Sequence, residues 1–250
     1  MKSYLTHLEC TNCNQKFSAN QVQTTCCACD KVLFARYDLE KVKQSWQKSD
    51  LLQRPHNIWR WFEIMPVLDP EHVVSLGEGG TPLLHAQALG GKHRAEQLYI
   101  KDEGLNPTGS FKARGLSAAV SKAKELGVKT IAIPSAGNAA AALSAYGSRA
   151  KMEIHVFMPH DTPAMMMREA TVYDATLHLV DGLINQAGQQ LRESAENWFD
   201  VSTLKEPYRA EGKKTMGLEL AEQFDWALPD AIIYPTGGGT GIVGMWKAFD

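Results

Sequence analysis

The chain has 250 residues, of which 44% are hydrophobic and 22% charged, so it can bury a core for one large domain or two modest ones. Its formal net charge is −2 at pH 7 and its Lys and Arg residues are scattered, which argues against a nucleic-acid or acidic-lipid partner. Because the sequence has neither an apolar run of about 18 residues nor an apolar signal region, we expect no membrane helix, no secretory signal and a cytoplasmic location.

The N-terminal region is marked by its cysteines. Four of the five form two Cys-x-x-Cys pairs, and these are Cys10, Cys13, Cys26 and Cys29. Four thiolates at this spacing can close a tetrahedral structural zinc site of the ribbon type, with Cys27 as a spare. The alternative is a cap without metal, in which the cysteines serve as small apolar residues. Residues 1–36 are therefore expected to form a zinc-ribbon-like cap, followed by a helical linker over residues 37–74.

From about residue 75, short apolar runs alternate with amphipathic helical patterns. The predicted strands are 98–101, 130–134, 153–159, 176–180 and 231–234. The predicted helices are 115–126, 138–149, 163–173, 183–198, 213–224 and a last one from Ile242. Strands that alternate with helices of this length predict an α/β fold with mostly parallel sheets covered by helices on both faces. The last helix would be short if it stopped at Asp250, so we expect either an unusual end or a truncated sequence.

The segment from Asn106 to Lys112, Asn-Pro-Thr-Gly-Ser-Phe-Lys, is a turn that delivers a lysine to the start of a predicted helix. A lysine that holds an aldehyde cofactor needs this placement, because it must project into a cavity and its amine must be neutral for part of the cycle. An ordinary exposed lysine at a helix start has the same pattern, so the motif alone does not separate the two interpretations.

Two further turns join a predicted strand to a predicted helix. The turn Ser135-Ala-Gly-Asn138 offers backbone N–H groups to an anion, although Asn138 could simply cap the helix. The turn Pro235-Thr-Gly-Gly-Gly-Thr-Gly241 lets the backbone wrap closely around a phosphate, and Thr240 adds a hydroxyl. A lysine for an aldehyde, an anion-binding turn and a phosphate cradle on one scaffold together describe a pyridoxal phosphate site.

Motifs along nearly the whole chain occur in the order found in one enzyme family. They are the cysteine cap, LGEGGTPLL, PTGSFKARG, PSAGNAAAA, MPHDTP, EGKKTMG and PTGGGTG. The sequence therefore resembles the fold-type II, tryptophan synthase β-like pyridoxal-phosphate enzymes, and most closely the threonine synthases. The resemblance implies a small domain over residues 115–203 and a large domain formed by 75–114 and 204–250, with the cofactor between them.

The resemblance also implies the site residues. Lys112 would form the Schiff base with pyridoxal 5′-phosphate, and Asn138 would bind the phenolic oxygen of the cofactor. The cofactor phosphate would be held by Gly237, Gly238, Gly239, Thr240 and Gly241. The substrate carboxylate would lie against Ser135 and Gly137. Thr81 would lie on a loop that the family brings to the substrate site.

The activity that the resemblance implies is that of a lyase of threonine biosynthesis, which converts O-phosphohomoserine and water to threonine and phosphate. Lys213, Lys214 and Arg114 are candidate contacts of the substrate phosphate, and the alternative for each is a surface charge or a member of an ion pair. Ala113 stands where threonine synthases often have Asp, and this form of the motif also resembles dehydratases that release a 2-oxo acid and ammonia from threonine or serine. A further alternative is a truncated, non-catalytic chain, because the family's partner of the pyridine nitrogen would lie beyond Asp250. The resemblance favours a homodimer.

Overall fold

The computed structural model describes residues 1–194 and 198–250. The chain begins with an antiparallel sheet that has its first strand in the centre. Its strands are β1 (Leu5–Cys10), β2 (Lys16–Phe17) and β3 (Leu33–Tyr37). The cysteines lie at the end of β1 and in the loops that follow it. The inner face of this cap packs against Ala119 and Tyr208, so the cap is docked on the rest of the chain.

Short helical segments follow the cap. They are α1 (Leu39–Ser45) and 3₁₀ turns at Lys48–Gln53, Ile58–Ile64 and Pro70–His72. Asp38 caps α1, because its carboxylate accepts a hydrogen bond from the backbone N–H of Lys41. The turn Ile58–Ile64 buries the aromatic side chains of Trp59, Trp61 and Phe62. The region has the helical character expected of the linker, while the domain boundaries stay a prediction.

A two-stranded antiparallel sheet comes next. It consists of β4 (Leu83–His85) and β5 (Tyr99–Lys101), with α2 (Gln87–Lys92) between them. β5 confirms the strand predicted at 98–101, whereas β4 and α2 were not predicted. This pair is a second sheet within the described part of the chain, separate from the parallel sheet that follows.

The central sheet has four parallel strands in the order β8-β7-β6-β9. The strands are β6 (Thr130–Pro134), β7 (Glu153–Pro159), β8 (Thr176–Val180) and β9 (Phe199–Asp200). The first three confirm the predicted strands residue for residue. The apolar runs of β6 and β7 are buried because helices cover both sides of the sheet.

The two faces of this sheet use alternate residues of each strand. Ile131 and Val156 face the side covered by the helices α3 (Lys112–Glu125), α4 (Asn138–Arg149) and α5 (Ala164–Val172). Ala132 and Phe157 face the opposite side, where they pack against Leu191 of α6 (Ile184–Glu193). Because successive side chains of a strand point to opposite faces, β6 and β7 each contribute to two separate hydrophobic clusters. The predicted α/β fold is confirmed.

The later helices differ from the predictions at their ends. The helix predicted over 183–198 is observed as α6, and the part of that prediction at residues 195–197 lies outside the described residues. α7 (Tyr208–Gln223) begins five residues before its predicted start, because the Glu206 carboxylate accepts hydrogen bonds from the backbone N–H groups of Tyr208 and Arg209. α8 (Thr240–Phe249) follows the glycine-rich turn.

The strand predicted at residues 231–234 is wrong. This segment pairs with no strand in the described part of the chain, and Ile233 is 97% exposed. An apolar run becomes a strand only when a neighbouring strand provides the ladder hydrogen bonds, and the described residues place none beside it. Among the described helices, none has both the length and the apolar character needed to cross a bilayer.

Candidate functional site

The start of α3 and the glycine-rich turn before α8 line one cavity. α3 contributes Lys112, preceded by Phe111, and α7 contributes Arg209 and Lys213. The glycine-rich turn contributes Gly237, Gly238, Gly239, Thr240 and Gly241. The structure therefore brings the predicted lysine and the whole predicted phosphate cradle to a single place.

Lys112 is the first residue of α3 and is half-buried. The turn before it contains Thr108 and Gly109 with positive φ, and its end is fixed by the Ser110 hydroxyl, which accepts a hydrogen bond from the backbone N–H of Lys112 at 3.3 Å. Burial lowers the pKa of the Lys112 amine, and the positive charge of Arg209 lowers it further. The neutral, nucleophilic form of the amine is therefore more accessible than in an exposed lysine.

The glycines of the turn before α8 are needed for different reasons, which are backbone conformation, open space and close packing. Gly239 is the N-cap of α8 with φ +84°, a backbone conformation that favours glycine. A Cβ at Gly237 or Gly239 would meet nothing within 4 Å, so open space lies beside them. At Gly238 a Cβ would collide with Thr203, which packs directly on the turn. Since the first N–H groups of a helix have no acceptor within the helix, this open space is suited to a phosphate.

Two buried basic side chains of α7 line the cavity, and the guanidinium of Arg209 gives it positive charge. Arg209 donates from Nη1 to the Val201 carbonyl at 2.6 Å, while its Nε has no hydrogen-bond partner among the described residues. Lys213 donates to the Phe111 carbonyl, and its Nζ lies 3.9 Å from the centre of the Phe111 ring. No carboxylate of the described residues lines the cavity. This charge pattern selects an anionic ligand.

The other two cations considered for the substrate phosphate are held elsewhere. Arg114 is fully buried and binds Glu219 and Glu103, each at 2.7 Å. Lys214 pairs with Glu211 at 2.6 Å. Neither lines the cavity, which corrects two of the three candidates for the phosphate contact. Both are ion-pair members because carboxylates on neighbouring turns and helices meet them inside the core.

The remaining predicted site residues lie outside the cavity lining. Thr81 is buried, and its hydroxyl donates to Glu103 at 2.6 Å. At the turn before α4, the Ser135 hydroxyl accepts a hydrogen bond from the backbone N–H of Ala140 and thus satisfies the first turn of the helix. Asn138 is the first residue of α4 and is exposed. The helix cap predicted for Asn138 is therefore provided by Ser135 instead. The ligand-binding roles of Thr81, Ser135, Gly137 and Asn138 stay predictions.

Sequence reasoning missed Arg209 and Tyr234. Arg209 lies four residues before Lys213 on α7, a spacing that places two side chains on the same helix face, so this signal was available. Tyr234 also lines the cavity, and its ring centre lies 5.5 Å from that of Phe111. Its buried hydroxyl has no partner among the described residues, and a Cβ at Gly241 would collide with it. Nothing in the sequence pattern pointed to this contact.

The four paired cysteines of the cap form a second candidate site, separate from the cavity. The Sγ atoms of Cys10, Cys13, Cys26 and Cys29 all lie within 4.8 Å of one another. Cys10 and Cys29 are 3.5 Å apart, and zinc with bonds of about 2.3 Å to sulfur needs neighbouring sulfurs at about 3.8 Å. The backbone N–H of Cys13 donates to Cys10 and lowers its pKa to about 6. The arrangement therefore suits a small tetrahedral metal ion.

Comparison with known proteins connects the cavity to a family. A family model described as pyridoxal-phosphate dependent enzyme matches residues 74–250. The threonine synthase of Methanocaldococcus jannaschii is 35% identical over 242 residues, covering 96% of this chain and 60% of that protein. The threonine synthase of Methanosarcina acetivorans is 36% identical over 246 residues, covering 97% and 60%. This chain thus spans about 60% of the length of these relatives.

A solved structure gives a similar result for the fold. The L-serine ammonia-lyase of Rhizomucor miehei superposes with a TM-score of 0.61 and is 26% identical in sequence. The similarity covers 68% of this chain and 54% of that one.

Proposed function

The chain belongs to the family of pyridoxal-phosphate dependent enzymes, and from this premise we propose that it acts as a threonine synthase. The reaction would convert O-phosphohomoserine and water to threonine and phosphate. The observation that carries the proposal is that Lys112 and the glycine-rich turn before α8 line one cavity. An amine for an aldehyde and a cradle for a phosphate in one cavity are the two features that this cofactor requires. The relatives with the name threonine synthase support the choice of reaction.

The residues of the cavity fit pyridoxal 5′-phosphate. The backbone N–H groups at the start of α8 and the Thr240 hydroxyl would hold the phosphate in the open space beside Gly237 and Gly239. Lys112 would bind the aldehyde carbon through its Nζ. When bound, the cofactor supplies an electron sink for negative charge that develops on the substrate.

Lys112 would also move protons during the reaction. The free amine of Lys112 would act as general base and general acid toward the bound substrate. Its lowered pKa favours this role, because a base works best when its pKa is near the operating pH.

Arg209 is the cation best placed for the phosphate of the substrate. It lines the cavity, and its Nε has no partner among the described residues. Lys213 lines the cavity too, but its amine already donates to Phe111. A guanidinium can hold a phosphate through two parallel hydrogen bonds, so Arg209 would favour a phosphorylated substrate over free serine or threonine.

The substrate carboxylate is proposed to bind at the turn before α4. Ser135 and Gly137 would offer the carboxylate their polar groups, Asn138 would contact the phenolic oxygen of the cofactor, and Thr81 would complete the loop beside them. The exposed side chain of Asn138 supports this proposal, because it is free to turn toward a ligand. The proposal places the cofactor between the predicted domains, 115–203 on one side and 75–114 with 204–250 on the other.

The experiment is a product assay on the purified protein with added pyridoxal phosphate. With O-phosphohomoserine we expect threonine and phosphate in equal amounts, and with serine or threonine no 2-oxo acid. Release of a 2-oxo acid without threonine formation would instead support a dehydratase, the activity that the name of the Rhizomucor relative indicates for that protein. Protein that gives no visible absorbance band with the cofactor would support the non-catalytic alternative.

We also propose that the four paired cysteines hold a structural zinc ion. Their sulfur distances support this proposal, since four thiolates fill all the positions of tetrahedral zinc. Metal analysis of the purified protein should give about one zinc per chain. Cys13→Ser should lose the metal, and Cys27→Ser should keep it, because Cys27 is exposed and lies outside the cluster. Equal zinc content in both variants would contradict the site.

A cytoplasmic location and a homodimer complete the proposal. The location is supported by the biosynthetic reaction proposed above, and the dimer by the family resemblance. Cell fractionation and sedimentation analysis test the two statements separately. Protein found only in a membrane fraction, or a monomer at micromolar concentration, would contradict them.

A further inference from the structure

Lys213 reaches the cavity through a gap between two helices. A Cβ added to Gly115 of α3 would lie 3.2 Å from Cε of Lys213, and a Cβ added to Gly244 of α8 would lie 2.6 Å from its Cβ. The two glycines therefore leave the space that the Lys213 stem occupies. One of these helices begins at Lys112 and the other at the phosphate cradle, so the stem lies between the two halves of the candidate site.

The amine of Lys213 makes its contact at the turn that carries Lys112. It donates to the carbonyl of Phe111, and this carbonyl belongs to the peptide bond that leads into Lys112. The Nζ atoms of Lys112 and Lys213 lie 4.1 and 3.9 Å from the centre of the same Phe111 ring. This hydrogen bond from α7 therefore restrains the backbone at Phe111, and with it the position of the Lys112 Cα.

Lys213 lacks the ion pair that other buried lysines have. Lys122 and Lys214 each meet a carboxylate, whereas Lys213 meets none among residues 1–194 and 198–250, although it is only 1% exposed. Burial lowers its pKa well below the ordinary value, and the charges of Lys112 and Arg209 act in the same direction. A neutral amine suits a hydrogen-bond donor to a carbonyl and needs no counter-ion.

We propose that Lys213 is a positioning residue for Lys112, which fixes the distance between the Lys112 amine and the phosphate cradle through its bond to Phe111 and its packing between α3 and α8. The inference rests on the proposed function, because only a ligand that bridges amine and cradle makes this distance important. A displacement of about 1 Å between reacting groups can lower a rate on the order of a hundredfold. Lys213 would therefore act on covalent attachment of the cofactor more than on phosphate binding.

The test compares Lys213→Met with Lys214→Met, a matched variant of the adjacent buried lysine that lies outside the cavity. Three quantities are measured: the fraction of pyridoxal phosphate attached to Lys112 from its visible absorbance, the Kd of inorganic phosphate, and the Tm. We expect Lys213→Met to lower the attachment constant by about tenfold or more and to change the phosphate Kd by less than about twofold. Lys214→Met should lower the Tm but leave attachment unchanged.

A second variant distinguishes a specific effect on attachment from a loss of folding. Lys213→Gln keeps an N–H donor on a shorter chain, so it should recover part of the attachment that Lys213→Met loses. Wild-type attachment in Lys213→Met, or equal losses in the Lys213 and Lys214 variants, would overturn the inference and leave the proposed function intact. Failure of the wild-type protein to attach the cofactor would overturn both.

Discussion

Arg114 and Glu219 form a bidentate ion pair between α3 and α7, with Nη1 and Nη2 of the arginine donating to the two carboxylate oxygens at 2.7 and 2.8 Å. Arg114 is fully buried and the Glu219 side chain is 4% exposed. The pair joins the helix that begins at Lys112 to the helix that carries Arg209. The pair therefore helps to fix the position of Lys112 relative to Arg209 in the cavity.

Loss of one partner of this pair should destabilise the protein strongly. Glu219→Gln leaves a buried guanidinium with part of its charge uncompensated, and such a change costs about 3–5 kcal/mol. The measurement is the free energy of unfolding by urea at pH 7. As a control, Arg36→Gln removes a surface pair with Glu9 and should cost no more than about 1 kcal/mol. If the two variants lost similar amounts of unfolding free energy, burial of the Arg114–Glu219 pair would not explain its contribution to stability.

The same pair predicts an acid-sensitive stability. Burial opposes ionisation of Glu219, but Arg114 outweighs it and lowers the pKa to about 2 from the ordinary 4.5. Because this folded-state pKa is depressed, the stabilisation is fully present above pH 4.5 and is lost as the pH falls towards 2. The expected loss from this group is on the order of 3 kcal/mol. Unfolding free energies measured between pH 6 and about 3 should fall less steeply for Glu219→Gln than for the wild type.

Lys112→Ala should abolish covalent binding of pyridoxal phosphate. The variant keeps the phosphate cradle of α8, so inorganic phosphate should bind within about threefold of the wild-type Kd, because the lost amine contributes charge but no cradle contact. Absorbance spectroscopy and phosphate titration measure the two effects. Lys129→Ala, which changes an exposed lysine before β6, should behave as the wild type in both. A visible cofactor band that persists in Lys112→Ala would place the attachment on another lysine.

The glycine-rich turn predicts different effects at two of its positions. Gly239 has φ +84°, so Gly239→Ala should cost about 1 kcal/mol of stability in addition to weakening phosphate binding. At Gly237 no such φ is required, and a methyl group there would enter the open space. Gly237→Ala should therefore weaken phosphate binding and leave the Tm nearly unchanged. Equal phosphate affinity in Gly237→Ala and wild type would show that the phosphate does not bind in this space.

Most of the parallel sheet could be predicted from the sequence because its strands are short apolar runs bounded by turn residues. β6, β7 and β8 follow this rule at both ends. The run at residues 231–234 has the same composition and is not a strand, because the pattern of one segment does not say whether a hydrogen-bonding neighbour is present. The early start of α7 depends on the side chain of Glu206, which a pattern of apolar residues does not include.

The candidate site was predictable to a similar degree. Lys112 and the glycine-rich turn could be found because each is a local motif. The roles of the cations depend on contacts between helices that are distant in sequence, so sequence alone did not separate Lys213 from Arg114 and Lys214. Arg209 was missed although its spacing from Lys213 was visible, because no motif drew attention to it.

The cavity has a consequence for folding. Lys112 and Thr240 lie at the starts of α3 and α8, and the whole parallel sheet is encoded between them. A ligand that needs both residues can bind only after this long intervening segment has folded. Such a ligand shifts the folding equilibrium by mass action, with about 2.7 kcal/mol of added stability at a hundred times its Kd. Retention of the cofactor during purification would therefore report the folded fraction of the chain.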